Sequence, residues 1–144
     1  MRGSDVRAAL YYLSRMIDAG EDPKFIARRM VIFASEDIGL AGNGALALAV
    51  ATFQAVERVG MPESNYILYH CATALAKSEK SRKVTDLMNE AKSLAKQYAD
   101  APVPLHIRNA PTKLMKDLGY GKDYKWQADF KHTKGFLPDE VRQS

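Results

Sequence analysis

Ala45-Leu-Ala-Leu-Ala-Val-Ala-Thr-Phe-Gln-Ala-Val-Glu-Arg-Val59 is the stretch that decides the fold. Leu46, Leu48, Val50, Phe53 and Val56 cover more than one face of a helix, and the alanines at 45, 47, 49, 51 and 55 let neighbouring helices approach closely. A helix apolar nearly all round belongs inside a helical bundle, so this segment is read as the buried axis of an all-α protein. Gly42-Asn-Gly44 marks the turn before it, Asn43 is the expected cap, and Gly60 ends it.

On the N-terminal side two further helices are expected. Ser4 or Asp5 caps the first, which runs to about Ala19 with Val6, Leu10, Leu13 and Ile17 on one face, and Gly20 stops it. Tyr11, Tyr12 and Met16 widen its apolar stripe beyond what one neighbour needs, which hints at a second surface belonging to another subunit. Asp22 and Pro23 open the second helix, whose inward positions are Ile26, Met30, Phe33 and Ala34 and which runs out near Asp37. Glu36 and Asp37 are adjacent, so their carboxylates point about 100° apart and are expected to bond at the helix end rather than converge on a substrate.

On the C-terminal side Pro62 opens a fourth helix containing Tyr66, Ile67, Tyr69, His70, Ala74 and Leu75. His70 and Cys71 are read as a packed pair, since no further His or Cys stands at metal-ligand spacing. A polar linker, Lys77-Ser-Glu-Lys-Ser-Arg-Lys83, follows, with Ser81 capping a fifth helix whose buried face is expected to be Val84, Leu87, Met88, Ala91, Leu94, Ala95 and Tyr98. Pro102 and Pro104 force an extended segment, and a short sixth helix is expected from about Pro111 to Gly119. The tail alternates aromatics with charges through Tyr124, Trp126, Phe130 and Phe136, and is expected to lie extended with its aromatics anchored in grooves. The fold class is therefore all-α, a single bundle of about six helices with an extended C-terminal tail: residues 1–100 the bundle core, 101–144 a short helix plus tail.

A chain of 144 residues with a 47% hydrophobic and 26% charged composition can bury a core without disulfides or a structural metal. Cys71 is the only cysteine, which excludes an intramolecular disulfide and a multi-cysteine zinc site and fits a cytoplasmic compartment. The longest apolar run, Ala45 to Ala51, is too short to span a bilayer. The net charge of +4 is uneven: −1 over residues 1–76, +5 over 77–125 and balanced beyond. That basic segment suits phosphates or an acidic partner, against the plainer reading of a solvated lysine-rich face.

Gly119, Gly121 and Lys122 do not make a phosphate-binding loop, which needs four residues between its glycines and a preceding strand. They are read as a helix stop and a turn. His106 beside Arg108 lacks an identifiable nucleophile or paired acid, and His132 stands in the polar tail, so no catalytic residues are assigned. Arg108, Lys113, Lys116, Lys122 and Lys125, interleaved with Tyr120, Tyr124 and Trp126, have the residue types that neutralise phosphates and stack on bases. They form the candidate DNA or partner surface.

The run Pro102-Val-Pro-Leu-His-Ile-Arg-Asn-Ala-Pro-Thr-Lys-Leu-Met-Lys-Asp-Leu-Gly-Tyr-Gly-Lys122 resembles the C-terminal region of the replication-associated recombination ATPases, the RarA or MgsA family, similar to the eukaryotic Werner-helicase-interacting ATPase. Arg2-Gly-Ser-Asp5, Ala9-Leu-Tyr-Tyr-Leu13, Gly20-Glu-Asp-Pro23, Phe25-Ile-Ala-Arg-Arg29, Ala34-Ser-Glu-Asp-Ile-Gly-Leu40 and Phe136-Leu-Pro-Asp-Glu140 resemble it in the same order, over essentially the whole chain. The resemblance implies a helical region that assembles a clamp-loader-clade AAA+ protein into a homotetramer. It also implies work in DNA replication, recombination and repair at stalled forks, with DNA and single-stranded-DNA-binding protein as partners. The family's ATPase module has no counterpart in these residues. ATP and magnesium are expected only on that module, and the chain is expected to be a non-enzymatic fragment of a nucleoid-associated cytoplasmic protein. An assembly domain and a DNA- or partner-binding module are the two functions this sequence leaves in play.

Overall fold

The structure, a computed structural model, describes residues 1–144 except Ala110, Trp126, Asp129, Phe130, Thr133 and Ser144. The described residues contain seven α-helices and no strand: α1 Val6–Asp18, α2 Pro23–Phe33, α3 Gly44–Val59, α4 Ser64–Lys77, α5 Lys83–Gln97, α6 Lys113–Asp117 and α7 Asp139–Arg142. The expected all-helical class is what forms. The chain divides into two compact units, Met1–Asn89 and Glu90–Ser144.

In the first unit the local signals act as chemistry requires. Asp5 accepts from the Ala8 amide at 2.9 Å and starts α1, and Asp22 accepts from the Lys24 amide at 2.9 Å ahead of Pro23 and starts α2. Ile26, Met30, Phe33 and Ala34 are all buried, as their spacing predicts. α2 then widens into a π-helical turn, Ala34–Ile38, closed by Gly39. Gly39 has φ +50°, and a Cβ there would stand 3.0 Å from Val84 Cγ2, so both backbone and space demand glycine. Asp37, on that turn, does something its position in a helix end does not suggest. Its carboxylate accepts from Arg2 Nε at 2.7 Å, and its carbonyl accepts from the Ser81 amide at 2.8 Å. The N-terminal segment and the 78–83 linker are thereby tied to one point.

α3 packs on α2 and α4, and α1 packs on α4. The reading of α3 as the buried axis is corrected: only Ala45, Ala49, Thr52 and Val56 are buried, while Leu46 and Val50 are exposed. The small residues at i, i+4, i+7 and i+11 bring the neighbouring backbones close, which turns the bulky residues between them outward. α4 is the more deeply set helix, with Ser64, Leu68, Cys71, Ala72, Leu75 and Ala76 all buried. Leu68 and Leu75 are fully enclosed, each contributing about 1.5–3 kcal/mol by burial. Tyr69 holds α1 to α4 through a 2.5 Å hydrogen bond with Ser14 Oγ.

Three further expectations are corrected. His70 is exposed, because turning Cys71 into the core rotates its neighbour about 100° away. Asn43 makes no side-chain cap bond; the turn is closed by the Ala45 amide donating to the Gly42 carbonyl at 3.0 Å. α5 starts at Lys83, whose amide donates to Ser81 Oγ as expected, yet none of its residues is buried. Its Leu87 and Met88 are exposed, while Val84, one turn earlier, is half-buried beside Gly39.

In the second unit Thr112 caps α6 by accepting from the Met115 amide, and Gly119 at φ +94° ends it, while the Tyr120 amide donates back to the Met115 carbonyl. The tail is a series of turns closing in α7, which Pro138 and the first-turn acids Asp139 and Glu140 start. Anchoring by Trp126 and Phe130 lies outside the described residues.

Candidate functional site

The site begins with the two prolines. After Pro102 and Pro104 the chain makes a single 3₁₀ turn, Leu105–Ile107, in which the Arg108 amide donates to the Leu105 carbonyl. The same carbonyl accepts from the Gly121 amide at 2.7 Å, which fastens the turn after α6 to the turn before it. Gly121 has φ +69°, and a Cβ on it would lie 3.3 Å from the Arg108 carbonyl oxygen. The pair of glycines read as stop and turn thus also sets how closely two loops meet.

Arg108 is held in place by its own surroundings. Its Nε donates to the Val103 carbonyl at 2.5 Å, and its guanidinium carbon stands 5.6 Å from the centre of the Tyr120 ring. His106 Nε2 lies 2.7 Å from the Gly135 carbonyl and must carry the proton to bond it. The His106 ring stacks on His132 with centroids 3.9 Å apart and planes 12° from parallel. His132 Nδ1 accepts from the Lys134 amide at 3.2 Å, so that nitrogen is unprotonated. The two stacked imidazoles, one bonded to Gly135 and the other to Lys134, clamp the tail to the 3₁₀ turn. Phe136 lies 6.2 Å from His106 and meets Tyr124 edge-on at 6.5 Å.

Two open cavities flank this clamp and share His106 and Arg108. One, of about 600 Å³, is lined by His106, Ile107, Arg108, Asn109, Gly121, Tyr124 and Phe136. The other, of about 640 Å³, adds Lys122, Lys134 and Arg142 together with Asp123, Asp139 and Glu140. Arg142 pairs with Asp139 and also donates to the Lys134 carbonyl.

Of the five basic residues singled out by sequence, the structure brings Arg108 and Lys122 to one cavity. Lys113 and Lys116 are exposed on α6, and Lys125 is exposed beyond the turn; none of the three lines either cavity. Asn109, Lys134 and the stacking of His132 were missed. Asn109 adjoins Arg108 in sequence and was legible in principle, whereas Lys134 and His132 arrive from more than twenty residues away with no periodicity to announce them.

The first unit has its own groove, about 460 Å³ and mostly apolar, with Tyr12, Met16, Phe25 and Met30 in its walls and Arg29 at its side. The core thiol of Cys71 is pushed up from its ordinary value by burial, partly offset by a hydrogen bond with Thr52. No group of three or more His, Cys, Asp or Glu side chains among the described residues could hold a metal ion. Among the same residues no helix is long and apolar enough to cross a membrane.

These features define a small all-helical domain with a cationic, aromatic-lined second unit. The chain belongs to the family described as the MgsA AAA+ ATPase C terminal, which matches residues 3–144. It is 46% identical to the replication-associated recombination protein A of Coxiella burnetii over 98% of this chain and 33% of that protein. The protein of the same name from Escherichia coli strain K12 is 38% identical over the whole chain and 33% of its own length. The ATPase WRNIP1 of Dictyostelium discoideum is 44% identical over 99% of this chain and 17% of its own length. The chain thus spans a third or less of these relatives, and the resemblance seen in the quoted motifs is a true family relationship.

Proposed function

We propose that this chain is the homotetramerisation and assembly domain of a clamp-loader-clade AAA+ ATPase that acts in DNA replication, recombination and repair at stalled forks. The observation that carries the reading is α5. Apolar residues recur at 84, 87, 88, 91, 94, 95 and 98, the heptad-like spacing of a helix that packs along another helix, yet no residue of α5 is buried within its own chain. Tyr11 and Tyr12 on α1, Ile32 on α2 and Leu46 and Val50 on α3 add exposed apolar surface of the kind subunit contacts cover. ATP and magnesium belong to a module beyond these residues, and this chain supplies assembly rather than chemistry, in a nucleoid-associated cytoplasmic protein. Light scattering on the purified chain at tens of micromolar tests the reading: it predicts a mass near four times the 16.0 kDa of one chain. Substituting Leu87 and Met88 by Glu is expected to lower that mass while leaving helicity intact.

A second reading is favoured by one observation, the meeting of Arg108 and Lys122 at one cavity, where Lys134 and Arg142 join them. In it the basic segment 77–125 contacts DNA at forks or an acidic partner such as single-stranded-DNA-binding protein. Binding to single-stranded or forked DNA at low salt, weakened by substitutions at Lys113 and Lys116, supports the DNA form. Undetectable binding ends it.

A further inference from the structure

We propose that Asp37 is the fixed point of a latch through which the N-terminal segment, residues 1–5, sets how firmly the first turn of α5 is docked. Only its consequence rests on the reading of α5 as the assembly helix: the latch makes the N-terminal segment a regulator of that helix.

Four contacts carry it, all within the first unit. Asp37 serves two segments with two groups of one residue. Its carboxylate accepts from Arg2 Nε at 2.7 Å and from Arg2 Nη2 at 3.4 Å, while its carbonyl accepts from the Ser81 amide at 2.8 Å. Ser81 is in turn the residue whose hydroxyl accepts from the Lys83 amide at the start of α5. Moving residue 37 therefore moves the partner of Arg2 and the cap of α5 together. Gly39 packs so closely on Val84 that a Cβ on it would stand 3.0 Å from Val84 Cγ2, which seats the first turn of α5 against the π-helical turn.

A second tie runs in parallel through Lys80. Its ammonium donates to Ser4 Oγ at 3.0 Å, to the Ala76 carbonyl at 3.0 Å and to the Ser78 carbonyl, which uses all three of its donors. The cation also stands 6.0 Å from the centre of the Phe33 ring. One side chain thus joins the N-terminal segment, the end of α4 and the linker before α5. Ser4 is held at φ +56°, a left-handed conformation that a residue with a side chain keeps only where its surroundings fix it. Its amide donates to the Met1 carbonyl at 3.0 Å.

The two ends of the ion pair differ in a way that suits a switch. The Asp37 side chain is 15% exposed and the Arg2 side chain 73%. The acceptor is built into the fold, whereas the donor can leave into water, so the pair is screened by salt and contributes modestly. A tie this weak is undone by a pull or a competing charge acting on residues 1–5. Coupling between two sites is reciprocal, so fixing α5 must also fix Arg2.

Hydrogen exchange of the whole chain, read by mass spectrometry over residues 1–9, 64–77 and 78–86, tests the latch. Arg2→Ala and Asp37→Asn, which keeps the main-chain bond to Ser81, should each speed exchange in 78–86 about 2- to 5-fold. The double variant should exchange no faster than either single one, and α4 should be unchanged. Salt at about 0.5 M should reproduce the effect in the unaltered chain and add nothing in Arg2→Ala. Lys80→Met, which keeps the stem and removes the donors, should add to it because its tie is separate. In the reciprocal direction, Leu87→Glu with Met88→Glu should speed exchange in 1–9, and Asp37→Asn should erase that difference. Unchanged exchange in 78–86 on loss of Arg2 overturns the latch, whatever the mass of the chain. Faster exchange in α4 as well assigns Asp37 to general stability and overturns it too. The expected response to Arg2→Ala in a chain that scatters as a monomer supports the latch and overturns the assembly reading alone.

Discussion

Within Met1–Asn89 all fifteen buried hydrophobic residues fall between Leu13 and Ala76, while among the described residues from Glu90 onward not one is buried. The first unit is held by side chains packed on α1 to α4. The second is held by bonds to loop backbone: His106 to Gly135, Arg108 to Val103, Gly121 to Leu105 and Arg142 to Lys134. Hydrogen bonds exchanged with water contribute about 0.5–1.5 kcal/mol each, much less than a buried leucine. The contrast teaches that the first unit draws its stability from buried side chains, whereas the described residues of the second rely on polar bonds worth less apiece.

The contrast can be broken most strongly in the core. Leu75→Ala should cost about 2–5 kcal/mol in urea unfolding, while Leu118→Ala, at an exposed position of the second unit, should cost under about 0.5 kcal/mol. Similar losses at the two would abolish the distinction. Gly121→Ala is the corresponding probe of the second unit. With φ +69° and the Arg108 carbonyl 3.3 Å from the new Cβ, a loss of about 1–3 kcal/mol is expected, seen as faster amide exchange confined to residues 102–122 rather than in α4. Asp22→Ala, which removes the cap of α2, should cost about 1 kcal/mol in the first unit.

The smallest effect sharpens the first unit alone. Burial raises the Cys71 thiol, so above about pH 8.5 the unfolded chain sheds this proton while the folded chain keeps it. The unfolded state then binds fewer protons, and the thiol's contribution to stability, full below that pH, declines as pH rises. Cys71→Ala should remove that part of the decline measured in urea titrations from pH 7 to 10. A thiol reagent should also label Cys71 only as fast as the first unit opens.

Much of the first unit was legible because its signals are local or periodic. Asp5, Asp22 and Pro23 declare helix starts by their own bonding, and Ile26, Met30, Phe33 and Ala34 declare a buried face by spacing. The sequence misled where amphipathic pattern and burial part company. In α3 the alanines, not Leu46 and Val50, face the neighbours, and in α5 a perfectly readable stripe has no buried residue. Periodicity says which residues share a face but not whether that face meets its own chain. The candidate site was legible at Arg108 and Lys122 and at Tyr120 and Tyr124, whereas the clamp joining residues 106, 132 and 135 depends on loops whose geometry has no period.

In the proposed assembly, α5 and the exposed faces of α1 to α3 are covered by further copies of the chain. Multi-angle light scattering on the purified chain and on its Leu87→Glu, Met88→Glu variant measures that directly. A mass near four times 16.0 kDa for the chain, falling toward 16.0 kDa for a variant of unchanged helicity, is the predicted result. A mass of 16.0 kDa for the unaltered chain at high micromolar concentration would contradict it.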